Sequence, residues 1–365
     1  MKKRTKKKNG TGLTAIDLFA GAGGLTVGLK RAGFRVVAAV EVDEETAATY
    51  RKNHPEVKLL VKDIREITGE GILKLTGLKK IDFVAGCPPC QGFSKLTDKH
   101  HRDDDRNQLI LEMARLIEEL KPPAFMMENV AGLAKRGLPL LTKFEKRARA
   151  IGYKINRGVL QMADYGVPQS RRRLVLFAGK GFEIPLPQAT HAQSPAANDL
   201  KLRPWIKLGS MLKWQSKPVL LSVAQMKGGP QKFNWHVVSD LQPMNLRRLR
   251  AIKAGASRLT LPMNLRPDCH KNKRGFENVY ARMTWDTVAP TMTSRCTTLS
   301  SGRFGHPKED RTISVREAAL IQTFPRGYKL DTDKMMKACE LIGNALPCRF
   351  AEIASTQCAK ALSER

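Results

Sequence analysis

Residues 13–42 read LTAIDLFAGAGGLTVGLKRAGFRVVAAVEV, and the change of rhythm inside this stretch decides the fold. LTAIDLFA is an apolar run of strand length, GLTVGLKRAG spaces its apolar residues as a helix does, and RVVAAVEV returns to a strand. Strand, glycine turn, helix and strand make one βαβ unit, which predicts a parallel sheet. The same alternation continues outward. VKLLVKD, IDFVAG and PAFMMENV read as further strands, with NQLILEMARLIEEL and KFEKRARAIG as helices between or after them. The runs YKINRGVLQM and RRLVLFAG stand too close together for a helical crossover, so they are expected as an antiparallel pair at the sheet edge. After about Gly181 the texture changes: residues 181–235 are rich in Pro, Gln, Asn and Ser, and residues 236–285 scatter Arg and Lys among isolated apolar positions. Regular pattern returns in ISVREAALIQTF and over residues 334–341, both read as helices. The expected organisation is a basic arm over 1–12, a large α/β domain over 13–180, a smaller inserted domain over 181–288, and a return to the first domain over 289–365.

The chain of 365 residues carries 64 Lys and Arg against 34 Asp and Glu, a net charge of +30. That excess calls for a polyanionic partner, either nucleic acid or an anionic membrane surface. No run of roughly 18 apolar residues is present to span a bilayer, and the opening MKKRTKKKNG lacks the apolar segment of a secretory signal. The expectation is nucleic acid and no membrane. The basic opening reads equally as an arm adding phosphate affinity or as a solvated tail. Seven cysteines, an odd number without regular spacing, fit a reducing, cytoplasmic setting. Cys87 and Cys90 stand as Cys-Pro-Pro-Cys, a spacing open to redox or zinc chemistry, but no second ligand pair is evident and no metal is expected.

Gly21, Gly23 and Gly24 follow the first strand, where glycine permits a tight turn and lets a ligand approach backbone N–H groups. The third glycine of the dinucleotide pattern G-x-G-x-x-G is replaced by Thr26, so this is not the usual pyrophosphate loop. Glu41 closes the second strand, twenty positions after Gly21, where a carboxylate can accept from ribose hydroxyls. Asp63 closes the third and can accept from an adenine amino group. The three strand ends together suit an adenosyl ligand without phosphates. The fourth strand runs into Cys87, Pro88, Pro89 and Cys90, and two prolines fix the backbone just before the second thiol. The fifth ends in Glu128, Asn129 and Val130. A thiol and a carboxyl at adjacent strand ends, above an adenosyl pocket, suggest nucleophilic catalysis with an acid at hand.

PCQGFS at 89–94, ENV at 128–130, QSRRR at 169–173 and GNALP at 343–347, in this order, resemble the DNA cytosine-5 methyltransferase family. The likeness extends from DLFAGAGG at Asp17 through RRRLVLFAG, and resumes from about Ala289 to Phe350. It implies the S-adenosylmethionine-dependent methyltransferase fold, a Rossmann-like, mostly parallel sheet with an antiparallel edge, plus a small target-recognition domain over 181–288. It also implies S-adenosyl-L-methionine as cofactor, held by Asp17, Phe19, Gly21, Gly23, Gly24, Leu25, Glu41, Val42, Asp63, Ile64, Pro89, Asn344 and Ala345. Phe19 would lie against the adenine, Asp63 and Ile64 would flank it, and Asn344 would close the pocket. Catalysis would fall to Cys90, attacking C6 of a flipped cytosine, with Glu128 donating to N3 and Arg173 and Arg171 holding the base oxygen. Residues 95–106 would form a catalytic loop closing over the base.

The DNA-contacting set is expected to comprise Gln91, Ser94, Arg106 and Gln169, with Asn272, Arg274 and Arg282 reading base edges from the inserted domain. Cys87 is expected to pack, His100 and His101 to be solvated or to touch phosphate, and Trp205, Trp214, Trp235 and Trp285 to anchor small cores. KNKRG at Lys271 and the cluster Arg247, Arg248 and Arg250 read as nucleic-acid contacts before solvated faces. The expected partner is double-stranded DNA, with a cognate restriction endonuclease as a further partner and a monomeric chain. Three other readings compete. An RNA (tRNA) cytosine-5 methyltransferase would share the scaffold, but the sizeable inserted domain favours duplex DNA. A DNA-binding regulator without catalysis leaves the intact Cys90, Glu128 and arginine set idle, and a thiol-disulfide oxidoreductase leaves the glycine turn, ENV and GNALP unexplained.

Overall fold

Thr14–Leu18 (β1) is buried at every position, and so is Phe83–Gly86 (β4), as strands covered on both faces must be. In the computed structural model, which describes residues 12–89, 105–195, 201–212, 216–271 and 276–365, these strands form the centre of a seven-stranded sheet. The other strands are Arg35–Glu41 (β2), Lys58–Val61 (β3), Ala124–Val130 (β5), Tyr153–Gln161 (β6) and Arg172–Lys180 (β7). Their order is β3-β2-β1-β4-β5-β7-β6, parallel through β5, with β7 antiparallel to both β5 and β6. The expected sheet and its antiparallel edge pair are present. The order reverses between β1 and β4, so the carboxyl ends of those strands open the crevice where ligands of such sheets bind.

Helices Gly24–Arg31 (α1), Glu44–Asn53 (α2), Gly69–Thr76 (α3), Leu109–Leu120 (α4) and Leu138–Ala150 (α5) connect the strands. Asp43 caps α2 by accepting from the Thr46 N–H, Thr68 caps α3 by accepting from the Gly71 N–H, and Gly77 ends α3 in the left-handed conformation. Ile16 and Leu18 of β1 enter one apolar core with Ile72, Met113, Ile117 and Phe144. Phe125 belongs to the same core, edge-on to Tyr153 at 4.9 Å and to Phe144 at 5.9 Å. Emptying that position would cost about 3–5 kcal/mol. Asp17, between Ile16 and Leu18, points to the opposite face, where Thr26 of α1 meets it. There α1 packs on the C-terminal helix Cys348–Ser363 at Gly28, where a Cβ would lie 2.3 Å from that of Ala351. The close approach made elsewhere by a third turn glycine is made here at Gly28, leaving Thr26 free to carry a hydroxyl.

The chain divides into two compact units: the described residues up to 161 with 172–189 and 346–365, and residues 162–171 with 190–345. This differs from the expected boundaries. The second unit takes the whole connection between β6 and β7, and it ends near 345 rather than 288. Hydrogen bonding explains both. Gln169 and Arg171 are bonded to residues 292, 322, 343 and 345 inside that unit, and Arg282 to residues 306–310.

The second unit holds few regular elements. Its described helices are Gly209–Leu212, Leu221–Met226, Pro243–Arg250, Val315–Ile321 and Met335–Asn344, and its described strands are two-residue pairs. Backbone carbonyls buried without a ladder need other donors, and guanidinium groups with five N–H bonds supply several at once. Arg282, 5 % exposed, donates to the carbonyls of Leu249, Ile252, His306 and Glu309 and pairs with Asp310. Arg316 serves Asn234 and Tyr328, and Arg258 serves Phe276. Trp235 is buried with its indole N–H on the Leu330 carbonyl, Trp205 donates to Asp164, and Trp285 meets His306 edge-on. Trp214 lies outside the described residues.

Candidate active site

The turn after β1 is set by backbone conformation. Phe19, Gly21 and Gly23 have φ of 60°, 56° and 86°, a region that L side chains seldom adopt, so glycine is demanded at two of the three positions. A Cβ on Gly21 would meet nothing within 4 Å, so the turn faces open space there. Glu41, at the end of β2, reaches back: one carboxylate oxygen accepts from the Gly21 N–H at 2.8 Å and the other from the Asp43 N–H at 3.0 Å. Burial raises its pKa, against those backbone donors. Asp17 lies beneath the turn, fully buried, with Oδ2 accepting from the Thr26 hydroxyl at 2.6 Å. Burial lifts this carboxyl from 3.8 to about 7, against the pull of Thr26.

Leu25 is buried in the first turn of α1, which Gly24 begins. Val42 stands 64 % exposed just beyond Glu41, an unusual position for a valine unless something apolar covers it. Asp63 is held low by Arg65, whose guanidinium and N–H both donate to it, and Ile64 is buried beside it. An adenosyl ligand suits this set on three observations. A carboxylate has acceptor sites beyond the N–H groups that Glu41 already receives, Val42 offers an uncovered apolar face, and Asp17 Oδ1 is buried with no hydrogen-bond partner.

The carboxyl ends of β4 and β5 form the second half of the site in the first unit. The Cys87 N–H donates to the Leu18 carbonyl at 3.3 Å, and the Pro88 carbonyl accepts from Asn129 Nδ2 at 3.0 Å. Asn129 Oδ1 accepts from the Val130 N–H. Pairing of β5 with β7 sets Val130 opposite Arg173, and Arg173 Nε reaches Glu128 Oε1 at 3.0 Å, with the two side chains only 15 % and 8 % exposed. Burial weakens the basicity of Arg173, while Glu128 and Cys87 counter it. Pro89 ends this described stretch. Cys90, Gln91, Ser94, His100, His101 and the rest of the segment to 104 lie outside the described residues. So do Asn272 and Arg274. Arg106 is exposed on the 3-10 turn Asp105–Gln108.

Three expected ligand contacts have other employment. Arg171, expected at the base oxygen, is buried and donates to the carbonyls of Met292, Gly343 and Ala345 at 2.9–3.3 Å. Gln169, expected on DNA, is fully buried between Gln322 and the Met292 N–H. Arg282, expected at a base edge, is the carbonyl hub described above. In each case the guanidinium or amide satisfies backbone groups of an irregular unit, which a reading of basic residues as phosphate or base contacts does not anticipate. Asn344 is exposed at the end of the helix Met335–Asn344, and the Ala345 carbonyl accepts from Gln322 and Arg171. Asn129 was legible as part of ENV but not as the residue that holds the Pro88 carbonyl. Among the described residues no cluster of three or more His, Cys, Asp or Glu could hold a metal ion, and no helix is long and apolar enough to cross a membrane.

A parallel sheet with a glycine turn at β1, a carboxylate at β2 and a carboxyl–guanidinium pair at β5 and β7 describes a methyltransferase of the Rossmann-like class. Comparison with known proteins agrees. The family model for C-5 cytosine-specific DNA methylase matches residues 13–360. The Type II methylase M.HgiDII of Herpetosiphon aurantiacus is 37 % identical over 93 % of this chain and 92 % of its own. M1.HphI of Haemophilus parahaemolyticus is 32 % identical over 93 % and 85 %. A prophage-encoded E. coli protein, assigned as a DNA modification methyltransferase, superposes with a TM-score of 0.73 at 22 % identity, covering 97 % of this chain and 100 % of that one. The S. pombe Dnmt2 methyltransferase superposes with a TM-score of 0.61 at 17 % identity, over 96 % and 98 %, a likeness of fold alone. The chain therefore belongs to the C-5 cytosine-specific DNA methylase family. Its activity is that of a DNA cytosine-5 methyltransferase.

Proposed function

We propose that the chain methylates C5 of cytosine within a defined sequence of double-stranded DNA, through a covalent bond between Cys90 and C6 of a base turned out of the helix. The Glu128–Arg173 pair carries this reading, beside an Asn129 that ties down the Pro88 carbonyl two residues before the nucleophile. C5 of an aromatic cytosine is a poor nucleophile. Attack of the Cys90 thiolate on C6 makes C5 electron-rich, and charge then develops on N3 and the base oxygen. Glu128 in its protonated form donates to N3, and Arg173, already beside it, supplies positive charge at the base oxygen. After methyl transfer a base takes the C5 proton and the Cys90 thiolate leaves C6, which restores the aromatic ring. The cytosine must leave the stack to reach these groups.

S-adenosyl-L-methionine, when bound, supplies an activated methyl group. Glu41 would hold its ribose, Asp63 and Ile64 its adenine, with Phe19, Val42, Leu25 and the backbone of Gly21, Gly23 and Gly24 shaping the pocket and Pro89 bordering it. Target choice would reside in the second unit, with Asn272 and Arg274 contacting base edges and Gln91, Ser94 and Arg106 contacting DNA from the segment after β4. The relatives are named as Type II enzymes, which supports a restriction–modification role with a cognate endonuclease. A monomer acting on DNA in the cytoplasm suits that role.

A duplex with 5-fluorocytosine at the target should trap wild-type protein in a cofactor-dependent adduct that survives denaturing electrophoresis, because fluorine cannot leave C5 as a proton does. Cys90→Ser should form none, and Cys87→Ser should retain it. An adduct with Cys90→Ser would refute Cys90 as the nucleophile, and its absence from the wild type would refute the covalent step.

A further inference from the structure

Helix α2 and the residue that ends it, His54, bring to the cofactor turn two buried side chains that the sequence does not connect to it. Tyr50 is fully buried and its hydroxyl lies 2.7 Å from the Thr26 hydroxyl. Thr26 gives its proton to Asp17 Oδ2 at 2.6 Å, so Tyr50 is the donor to Thr26. One helical turn on, the ring of His54 lies 4.8 Å from that of Tyr50, and its Nδ1 lies 2.7 Å from Lys30 Nζ, which also pairs with Glu56. His54 also makes a hydrogen bond to the Gly23 backbone. Residues 23, 26 and 30, through the first turns of α1, are thus each tied to α2. Asp17 Oδ1, on the carboxyl that Thr26 orients, is buried without a partner.

We propose that Tyr50 and His54 are positioning residues for the cofactor. They hold Gly23 and Thr26, and through Thr26 the carboxyl of Asp17, in the arrangement the ligand requires before it arrives. This rests on the reading that the turn over residues 19–24 binds S-adenosylmethionine. The turn needs such support. Phe19 is strained in the left-handed region, and a strained backbone persists only where its surroundings over-determine it, while Gly21 and Gly23 bring conformational freedom that packing must remove. A turn held in place before binding spares the ligand the cost of ordering it. A role through preorganisation affects ligand affinity more than the rate once the ligand is bound, which separates it from a role in the chemical step.

The experiment measures S-adenosylmethionine affinity by titration calorimetry, and kcat and KM on plasmid DNA, in the full chain. Tyr50→Phe keeps the ring and removes the hydroxyl. It should weaken cofactor binding roughly fivefold to tenfold, the size of one buried hydrogen bond, raise the cofactor KM alike, and leave kcat at saturating cofactor within about twofold. Thr26→Val should do the same, the double variant should be no worse than either single one, and Thr26→Ser should restore wild-type affinity. Should Tyr50→Phe fold poorly, the Thr26 pair decides alone. Unchanged affinity in Tyr50→Phe, additive losses in the double variant, or a loss confined to kcat would overturn the proposal. Glu41→Ala separates the two levels. If it leaves affinity unchanged, the assignment of the turn is wrong; if it weakens binding while Tyr50→Phe does not, only the positioning role fails.

Discussion

Asp17 and His54 lie on neighbouring elements under one turn, and burial has moved them in opposite directions. Asp17 rises from 3.8 to about 7, so the folded chain keeps a proton that the unfolded chain has lost. Its contribution to stability is complete below about pH 3.8 and declines as pH rises through 7. His54 falls from 6.5 to about 4, through burial and then the Lys30 charge, so the folded chain lacks a proton that the unfolded chain binds. Its contribution is complete above 6.5 and declines as pH falls through 4. Between about pH 4 and 6.5 the two slopes oppose each other and nearly cancel, each being about 1.4 kcal/mol per pH unit. Removing one should expose the other. Asp17→Asn should make Tm rise more steeply with pH across this window than in the wild type, and His54→Phe should make it fall. Thermal melts at half-unit pH steps measure the slopes. Parallel curves for wild type and Asp17→Asn would show that Asp17 does not keep its proton.

At the scale of elements, arginine has two uses that the sequence does not distinguish. In a chain of net charge +30, an arginine in an irregular segment reads as phosphate affinity or base reading. The strands β1 to β7 were legible because apolar runs and turn glycines obey short periods. Helix α2 was not, since its buried face consists of Thr46, Ala47, Thr49 and Tyr50, mostly small or polar. The guanidinium hub was not legible either, because no period marks a residue whose partners are carbonyls at 249, 252, 306 and 309. Arg282→Ala would leave the Ile252 and His306 carbonyls without that donor and Asp310 with Arg250 alone, at a cost of about 1–3 kcal/mol for the buried groups left unsatisfied. Chemical denaturation should show that loss, with the methylated sequence unchanged wherever activity survives. A base reader would behave in the opposite way, relaxing one position of the target while stability stayed put.

For the whole molecule, the question is where the part that chooses the target can be cut from the part that performs the reaction. The texture of the sequence changes near 181 and the family likeness resumes near 289, so a graft over 181–288 is the natural design from sequence. The second unit has other limits. Arg282 lies inside that graft and its partners at 306–310 lie outside it, while Gln169 and Arg171, before the graft, are bonded to residues at 292, 322, 343 and 345, after it. Replacing 181–288 alone asks a foreign Arg282 equivalent to satisfy native carbonyls at 306 and 309, and a buried carbonyl left without a donor is costly. Replacing 162–171 and 190–345 together keeps every one of those bonds within a single parental sequence. With the module of a relative of known specificity, the larger exchange should yield soluble protein that methylates the relative's sequence, and the smaller one should yield protein that melts at least about 5 °C lower or is insoluble. Methylation mapping in a host without cytosine methylation reads the first result and thermal melts read the second. An active, stable 181–288 hybrid would show that the hydrogen bonds crossing residue 288 are dispensable. An active larger hybrid that retained the original site would place target choice outside the second unit.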